Sequence, residues 1–367
     1  MLNDVEWGEY KFDDSIFELC KVKNKLSKAD LSTDGKTPVY SSDSTNNGVI
    51  GYTNEPPEFI VNKKHKYFVI FGDHTRTFNI ATDNFCVADN VKVLSLKNTV
   101  SIQSLLFITS SWKKCVPDKG YSRHWSVAKD VLFKLPIQSG KIDFDFMEKF
   151  ITELEAERIT ELEAYLVASG LKNYHLTPEE QKVLNDYQSY QFDDFKVVDV
   201  FKVKNSGNIL SRDIEENSGT TPYLCASGEN NSVSSYISYD TKYLDQGNCV
   251  FIGGKTFVVT YQENDFYSND SHNLILYLKD EEKRTKLNQL FLATCVEKSL
   301  GNKYSWGDSI SNRKIQKDVI SLPVKNKEPD LSSMSLLISA IQKLVIKDVV
   351  EYTDAKISAH EQTAKAS

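Results

Sequence analysis

Two helix-forming segments about 187 residues apart constrain this chain more than any other feature of its sequence. Residues 143–169 contain no Pro or Gly and are rich in Glu, Leu and Ala, which enter helices at little cost. Apolar residues recur there mostly at three- and four-residue steps, which is typical of one face of an amphipathic helix. At 1.5 Å per residue this helix would be roughly 40 Å long. We therefore predict a long spacer helix or one half of a coiled coil.

The second segment, residues 330–358, repeats the first in a single register. The matched pairs are Asp143 with Asp330, Met147 with Met334, Ile151 with Ile338, Leu154 with Ile341, Ile159 with Ile346, Leu162 with Val349 and Tyr165 with Tyr352. Matches in one register indicate an internal duplication. A four-three spacing is typical of a coiled-coil seam. It runs through Met334, Ile338, Ile341, Val345, Asp348 and Tyr352. We therefore predict that the two helices form a short, imperfect antiparallel pair.

Shorter matches precede both segments in the same order. Phe12-Asp13-Asp14 returns as Phe192-Asp193-Asp194, Lys21-Val22-Lys23-Asn24 as Lys202-Val203-Lys204-Asn205, Thr37-Pro38 as Thr221-Pro222, and Leu135-Pro136-Ile137 as Leu322-Pro323-Val324. The repeated unit is therefore a globular domain of about 140 residues followed by a long helix. The predicted boundaries are 1–140 for the first domain, 141–186 for the first helix and a linker, 187–329 for the second domain and 330–367 for the second helix.

Each globular half has the sequence pattern of an α+β domain. The predicted strands are residues 67–72, 91–96, 249–253 and 274–278, which are short apolar or alternating runs, and the predicted helices are residues 102–112 and 283–298. Thr177-Pro178 predicts the start of a short helix between the halves, because Thr favours the cap position and Pro the first turn. The predicted fold class is α+β. Two similar domains, each with a mainly antiparallel sheet, are separated by two long antiparallel helices in a pseudo-twofold repeat.

Composition narrows the class of protein. Hydrophobic residues make up 40% and charged residues 26%, as in ordinary globular proteins. No apolar run reaches about 18 residues and the N-terminal stretch is acidic, so we expect no membrane span and no signal peptide. The six cysteines have no close spacing, which favours free thiols in a reducing cytoplasm over a metal site. The net charge is −7, but residues 141–182 alone hold 10 acidic against 5 basic residues, so the acid concentrates near the first long helix.

Local motifs give little support to catalysis. Gly253-Gly254-Lys255-Thr256 resembles the end of a phosphate-binding loop, but Cys249 stands where that loop requires Gly. Asp73-His74 could be a base with its orienting carboxylate, yet no nucleophile motif accompanies it. A loop-anchoring hydrogen bond or a DNA contact explains this pair better. We predict no catalytic residue, no metal site and no cofactor.

Basic and amide side chains near aromatic residues are the remaining signal. Lys and Arg neutralise phosphates, and Arg, Lys and Asn read base edges in the major groove. The predicted DNA-binding residues are Lys63, Lys64, His74, Arg76, Lys113, Lys114, Arg123, His124, Lys255, His272, Lys303, Tyr304, Asn312, Arg313 and Lys314. The Tyr-Ser-Arg-His-Trp-Ser and Tyr-Ser-Trp-Gly-Asp-Ser phrases precede Leu135-Pro136 and Leu322-Pro323, respectively, at equivalent points.

With the duplication, the helices and these loops together, the sequence resembles the specificity subunits of type I restriction-modification systems. The resemblance extends over nearly the whole chain. The stretches that carry it are residues 69–76 with 89–91, residues 252–256 with 268–272, residues 304–312, and the phrase Tyr174-His175-Leu176-Thr177-Pro178-Glu179-Glu180 after the first long helix.

This resemblance implies a division of labour. Each globular half would be a target recognition domain that binds one half of a bipartite sequence in double-stranded DNA. The antiparallel helices would set the spacing at a little more than one turn of B-DNA. Two methyltransferase subunits, which carry S-adenosylmethionine, would dock on the long helices, and a motor-nuclease subunit would join for restriction. The chain itself would be a non-catalytic subunit. Because its globular halves are nearly neutral, we expect weak affinity for DNA on its own and strong affinity only inside the complex.

Three alternatives remain at this stage. A specificity subunit of a type IIB-like enzyme shares the layout and is distinguished only by its neighbouring genes. A duplicated enzyme of unknown reaction requires matching catalytic residues in both halves. A structural adaptor that binds only proteins would not shift a DNA duplex in complex with its methyltransferase.

Overall fold

The computed structural model describes residue 2 and residues 5–366. These divide into two compact units. Unit 1 holds the residues up to Leu162 and those from Ile357 onward, and unit 2 holds Glu163–Lys356. Each long helix therefore begins in one unit and ends in the other. Within the described part, no helix is long and apolar enough to cross a membrane.

Up to Leu162, the described part of unit 1 contains ten strands and four helices, the last of which continues into unit 2. The strands are β1 (Glu6–Tyr10), β2 (Phe17–Leu19), β3 (Thr37–Tyr40), β4 (Val49–Thr53), β5 (Phe68–Gly72), β6 (Phe78–Ala81), β7 (Cys86–Val87), β8 (Val91–Leu96), β9 (Phe133–Gln138) and β10 (Lys141–Ile142). The helices are α1 (Phe12–Ser15), α2 (Ile102–Cys115), α3 (Trp125–Ala128) and α4 (Phe144–Ala168).

Unit 2 repeats this order after one additional helix, α5 (Pro178–Asp186). Its strands are β11 (Phe192–Lys196), β12 (Phe201–Asn205), β13 (Thr221–Leu224), β14 (Val233–Ile237), β15 (Cys249–Gly253), β16 (Val258–Gln262), β17 (Tyr267–Ser268), β18 (Leu274–Leu278), β19 (Val319–Lys325) and β20 (Glu328–Pro329). Its helices are α6 (Val197–Val200), α7 (Lys286–Leu300), α8 (Asn312–Ile315) and α9 (Leu331–Ala366). Short 3-10 turns lie at Lys28–Asp30, Asn46–Gly48, Tyr187–Ser189, Ser211–Asp213, Asn230–Ser232 and Thr241–Tyr243.

The sheet topology is the same in both units. Unit 1 has sheets of order β1-β9-β10, β2-β8-β5-β6 and β4-β3-β7, and unit 2 has β11-β19-β20, β12-β18-β15-β16 and β14-β13-β17. All pairings are antiparallel except β3 with β7 and β13 with β17. The prediction of one sheet per half was therefore too simple, because each half has three small sheets. The predicted internal duplication agrees with every strand order.

The central strand of each unit is buried on both faces, which explains the three sheets. Along β5, Val69 and Phe71 belong to one apolar cluster, whereas Phe68 and Ile70 belong to another. Along β15, Val250 and Ile252 likewise belong to one apolar cluster, whereas Cys249 and Phe251 belong to another. Because successive side chains of a strand point to opposite faces, each of these short apolar runs supplies two cores at once.

The two long helices begin in the same way. The Asp143 and Asp330 carboxylates accept hydrogen bonds from the backbone N–H groups of Phe146 (2.9 Å) and Ser333 (3.1 Å), so each caps its helix. The backbone N–H groups of these two aspartates donate to Pro136 and Pro323 of the preceding strands, both at 2.9 Å. The two helices begin at Phe144 and Leu331, one residue after the starts predicted at residues 143 and 330.

The predicted seam along α9 is wrong in its later turns. Met334, Leu337 and Ala340 are buried, and the first two of them pack in the core of unit 2. Ile341, Val345 and Tyr352, which the four-three spacing placed in the seam, are exposed, and so is Asp348. The early turns of α9 therefore face the core of unit 2, and further along the helix the buried residues are Val350 and Thr353 rather than the residues of the four-three repeat. The later turns of α9 therefore present apolar residues at the surface.

Candidate functional site

Asp73 anchors the candidate binding loop of unit 1. This buried residue follows β5 directly, and its carboxylate accepts a hydrogen bond from the Trp125 N–H at 2.7 Å. Its carbonyl accepts from the backbone N–H of His124 at 2.9 Å and from the His124 Nδ1–H at 3.0 Å. The other ring nitrogen, Nε2, accepts from the Lys119 N–H at 3.1 Å. Asp73 and His124 therefore join the end of β5 to the loop before α3.

His124 is a positioning residue in this arrangement. Only 1% of its surface is exposed, and both ring nitrogens are occupied by backbone groups. The geometry disfavours a direct base contact by His124. Its neighbour Arg123 is exposed and reaches Asn90 Oδ1 at 3.4 Å, so Arg123 is the side chain that His124 presents.

His74 and Arg76 lie on the same side of unit 1 as Arg123. The His74 ring stacks on Tyr121, with centroids 4.8 Å apart, and its Nδ1 lies 3.2 Å from the Ser122 carbonyl. The Arg76 guanidinium donates to the Val116 carbonyl at 2.9 Å and pairs with Asp118 at 2.5 Å. The loops after β5 and after α2 therefore form one surface.

The four lysines of unit 1 that are predicted to bind DNA lie in two separate groups. Lys113 and Lys114 are exposed in the last turn of α2, three and two residues before Val116, so they border the Arg76 surface. Lys63 and Lys64 are exposed in the loop before β5, at the opposite end of that strand from His74. A strand of this length spans roughly 15 Å, so Lys63 and Lys64 form a separate group.

Unit 2 places Lys255 where unit 1 has His74, two residues after the end of the central strand. The Lys255 ammonium pairs with Asp270 at 3.0 Å, and the His272 Nδ1 lies 2.7 Å from the same carboxylate. Burial alone would raise the pKa of Asp270, but hydrogen bonds from His272 and Lys255 outweigh it and lower that pKa. A Cβ on Gly254 would lie 2.3 Å from the His272 carbonyl oxygen, so glycine is required there by packing. This packing requirement explains why the sequence here resembles the end of a phosphate-binding loop, and the explanation needs no bound nucleotide.

A basic pocket of about 570 Å³ gathers four of the predicted residues of unit 2. It is lined by Lys303, Tyr304, Asp308, Ser311, Arg313, Lys314 and Lys317. Tyr304 is itself buried, and its hydroxyl donates to Asp318 at 2.6 Å. Burial, together with this hydrogen bond, raises the pKa of Tyr304. Tyr304 is thus the floor of the pocket, whereas the exposed Lys303, Arg313 and Lys314 supply its charge.

Asn312 joins this pocket to the Lys255 loop. Its side-chain N–H donates to Asn205 Oδ1 at 2.9 Å, and the Asn205 amide donates in turn to the Ser271 carbonyl at 2.7 Å. The loop that carries Asp270 and His272 is therefore tied to the start of α8. All seven predicted residues of unit 2 lie in this connected region: Lys255, His272, Lys303, Tyr304, Asn312, Arg313 and Lys314. No observation here tests their contact with DNA, so the binding assignments of both units stay predictions.

Sequence reasoning missed the residues that hold these loops. Asp318 fixes both Lys303 and Tyr304, and its side chain is fully buried. Asn205 bridges two loops from the end of β12, 107 residues before Asn312. Neither residue was among the predicted DNA-binding residues. The only sequence signal was the position of Asn205 at the end of a repeated Lys-Val-Lys-Asn phrase.

A second candidate surface lies on α9. The exposed apolar residues Ile341, Leu344, Val345, Val349 and Tyr352, here called the α9 strip, recur at three- and four-residue steps and so share one face. Val345 is 74% exposed. Ile341 also lines an apolar groove of about 800 Å³ in unit 2, together with Leu337, Ile338 and residues of α5 and α7. The α9 strip is therefore a candidate interaction surface.

The connector between the long helices is fixed on α9. Glu180 is buried, caps α5 through Thr177, and accepts from Ser339 at 2.6 Å and Lys343 at 2.7 Å. Just before α5, Lys172 pairs with Glu163 of α4 and with Asp354 of α9. Within unit 2, the end of α4 is therefore tied to the later turns of α9.

The model of one protein family matches this duplicated architecture twice. The type I restriction modification DNA specificity domain matches residues 4–164 and again residues 190–357. The chain belongs to this family. Its two matches coincide with the two repeats of the fold, and the description of the family is that of a DNA specificity domain rather than a catalytic one. No curated protein sequence matches the chain.

Two solved structures of such subunits match the chain at low sequence identity. The type I restriction-modification S subunit from M. genitalium has a TM-score of 0.60 at 12% identity, covering 99% of this chain and 95% of the other. The HsdS subunit from Thermoanaerobacter tengcongensis, at 11% identity and a TM-score of 0.31, covers 95% of this chain and 91% of its own. The first of these supports the two-domain α+β fold.

Proposed function

We propose that this specificity subunit recognises a bipartite DNA target, one half-site per globular domain, and catalyses no reaction itself. The single observation that carries the proposal is the repeated placement of basic and amide side chains. His74 and Lys255 follow equivalent central strands, and Arg123 and Arg313 lie at or beside equivalent short helices. A chain of this family with two matched polar surfaces is suited to two half-sites.

The long helices serve as the spacer in this proposal. The 25 residues of α4 span roughly 38 Å, a little more than one turn of B-DNA. Each helix begins in one unit and ends in the other, as expected of two helices that run in opposite directions. The boundaries that follow are 1–140 and 187–329 for the recognition domains, with 141–186 and 330–367 for the spacer.

Two methyltransferase subunits dock on these helices, and a motor-nuclease subunit joins for restriction. The α9 strip supports this part of the proposal, because exposed Ile, Leu and Val at helical spacing suit a packed helix from a partner. A duplicated enzyme fits the structure less well. Asp73 of unit 1 corresponds to Gly254 of unit 2, so the two units share no acidic residue at that place.

The test is to map methylated adenines across the genome in cells with and without this protein. A bipartite motif that depends on the protein supports the proposal. A single uninterrupted motif, or no change in methylation, contradicts the proposal. Neighbouring genes then separate a type I system from a type IIB-like one, because only the latter encodes a fused nuclease-methyltransferase.

Modular recognition predicts that variants of the two units affect different half-sites. Arg123→Ala should relax one half of the motif and Arg313→Ala the other, each at a cost of about 1–3 kcal/mol of discrimination. Both side chains are exposed, so the fold should be retained. Arg212→Ala removes a similarly exposed arginine from unit 2 outside the site and serves as the control. Duplex binding by the methyltransferase complex measures the effect, and equal loss at both half-sites would contradict the modular interpretation.

A further inference from the structure

Trp306 is the most exposed of the four tryptophans. Its exposed fraction is 80%, whereas Trp112 is fully buried. Trp306 lies between Tyr304, at the floor of the basic pocket, and Asp308, in its wall. Large aromatic side chains carry the greatest burial energy of any residue type, so a tryptophan held in solvent beside cationic groups indicates a binding partner.

The backbone holds Trp306 at the tip of a two-residue hairpin. The Ser305 N–H donates to the Asp308 carbonyl at 3.4 Å and the Asp308 N–H donates to the Ser305 carbonyl at 3.0 Å, so Trp306 and Gly307 form the turn. Lys314 braces the far side, since its ammonium pairs with the Asp308 carboxylate and donates to the Ser309 carbonyl at 2.7 Å. The buried Tyr304–Asp318 hydrogen bond anchors the near side.

This preorganised tip lies among charges that suit a polyanion. Lys303, Arg313, Lys314 and Lys317 share the pocket with Asp308, so cations outnumber the carboxylate there. The equivalent loop of unit 1 is built differently, because Tyr121 stacks flat on His74 with an angle of 5° between the rings. Only the tip in unit 2 leaves an indole without a stacking partner in the described structure.

We infer that Trp306 is a DNA-contacting residue of the second recognition domain, whose indole stacks against a base at the half-site while the surrounding lysines and arginine hold the phosphates. The inference rests on the proposed function and deepens it. Aromatic side chains stack on the face of any base, and apolar side chains can enter a base step that is partly unstacked. Trp306 would therefore add affinity and a local distortion, while the polar residues read base edges.

The experiment uses the full chain in complex with its methyltransferase subunits and a duplex that carries the mapped motif, with 2-aminopurine at successive positions of the second half-site. Trp306→Ala should weaken binding about ten-fold or more. The wild type should raise 2-aminopurine fluorescence at one position, and Trp306→Ala should abolish that rise. Trp306→Phe should retain the rise in 2-aminopurine fluorescence and most of the affinity, but it should lack the quenching of Trp306 emission that stacking on a base is expected to cause in the wild type.

Tyr236→Ala is the matched control, because it removes an exposed aromatic side chain from a strand of the same unit. It should bind the duplex like the wild type. Wild-type affinity and an unchanged 2-aminopurine signal in Trp306→Ala would overturn the inference and leave the proposed function standing. Failure of Trp306→Ala to assemble with the methyltransferase would also overturn it, because a DNA contact has no part in assembly. If the wild-type complex does not bind the duplex, the proposed function and this inference both fail.

Discussion

Replacing Leu344 and Val345 together by Asp should abolish assembly with the methyltransferase while the chain stays folded. Both side chains lie in the α9 strip, and neither is buried in the chain alone. A carboxylate placed in an apolar interface loses its hydration without gaining a partner, which is costly. Hot-spot residues of interfaces contribute about 2–4 kcal/mol each, so a loss of about 100-fold or more in affinity is expected.

Co-expression followed by size-exclusion chromatography measures this effect, and circular dichroism checks the fold. Lys347→Asp introduces the same carboxylate on a different face of the same helix and is the matched control. Its ion pair with Glu351 is exposed and long, at 3.7 Å, so its loss should have little effect on stability. Normal complex formation by the double variant would show that the methyltransferase docks elsewhere.

The order of elements was predictable because the duplication supplies each signal twice. The runs at residues 67–72 and 249–253 became β5 and β15, and the residues after Thr177 became α5 with the expected cap. Such features depend on neighbouring residues, for which sequence is a sufficient guide. The number of sheets was not predictable, because an apolar run does not reveal that its two faces serve two cores.

The later turns of α9 show a second limit. Periodicity identified an apolar face through Ile341, Val345 and Tyr352, but it does not state whether anything covers that face. Met334 and Leu337 pack in the core of unit 2 instead, and Ala340 is buried as well. Ile341, Val345 and Tyr352 are informative about function because they are apolar and the chain itself does not bury them.

The binding loops show a third limit, which concerns residues distant in sequence. Tyr304 and His124 belong to phrases that look like exposed recognition loops, yet each is buried by a group that sequence does not place beside it. Asp318 lies under Tyr304, and the carbonyl of Asp73 receives His124. Both side chains position neighbours that are exposed, Lys303 and Arg123. The local phrases therefore could not separate residues that support a loop from residues whose side chains reach outward.

Glu180→Ala should destabilise unit 2 by about 3 kcal/mol, because it leaves Lys343 without its carboxylate partner in a mostly buried position. The change also removes the hydrogen bonds from Ser339 and from the Thr177 N–H that caps α5. The stability of Glu180→Gln should lie between that of the wild type and that of Glu180→Ala, because an amide can keep the hydrogen bonds but not the charge. Glu179→Ala, at the exposed neighbouring position, is the control and should cost far less. Urea denaturation followed by circular dichroism measures these differences, and equal stability of the Glu179 and Glu180 variants would contradict the assignment.

The effect of Glu180 should also depend on pH, which separates its charge from its packing. Burial would raise the pKa of Glu180, but the hydrogen bonds from Lys343, Ser339 and Thr177 lower it below its ordinary value. A carboxyl whose pKa is lower in the folded chain contributes its full stability above the unfolded pKa, and loses it as the pH falls through the folded pKa. The difference in unfolding free energy between the wild type and Glu180→Gln should therefore be constant near neutral pH and shrink below about pH 4.5. A difference that does not change with pH would mean that Glu180 acts through packing and hydrogen bonds rather than through its charge.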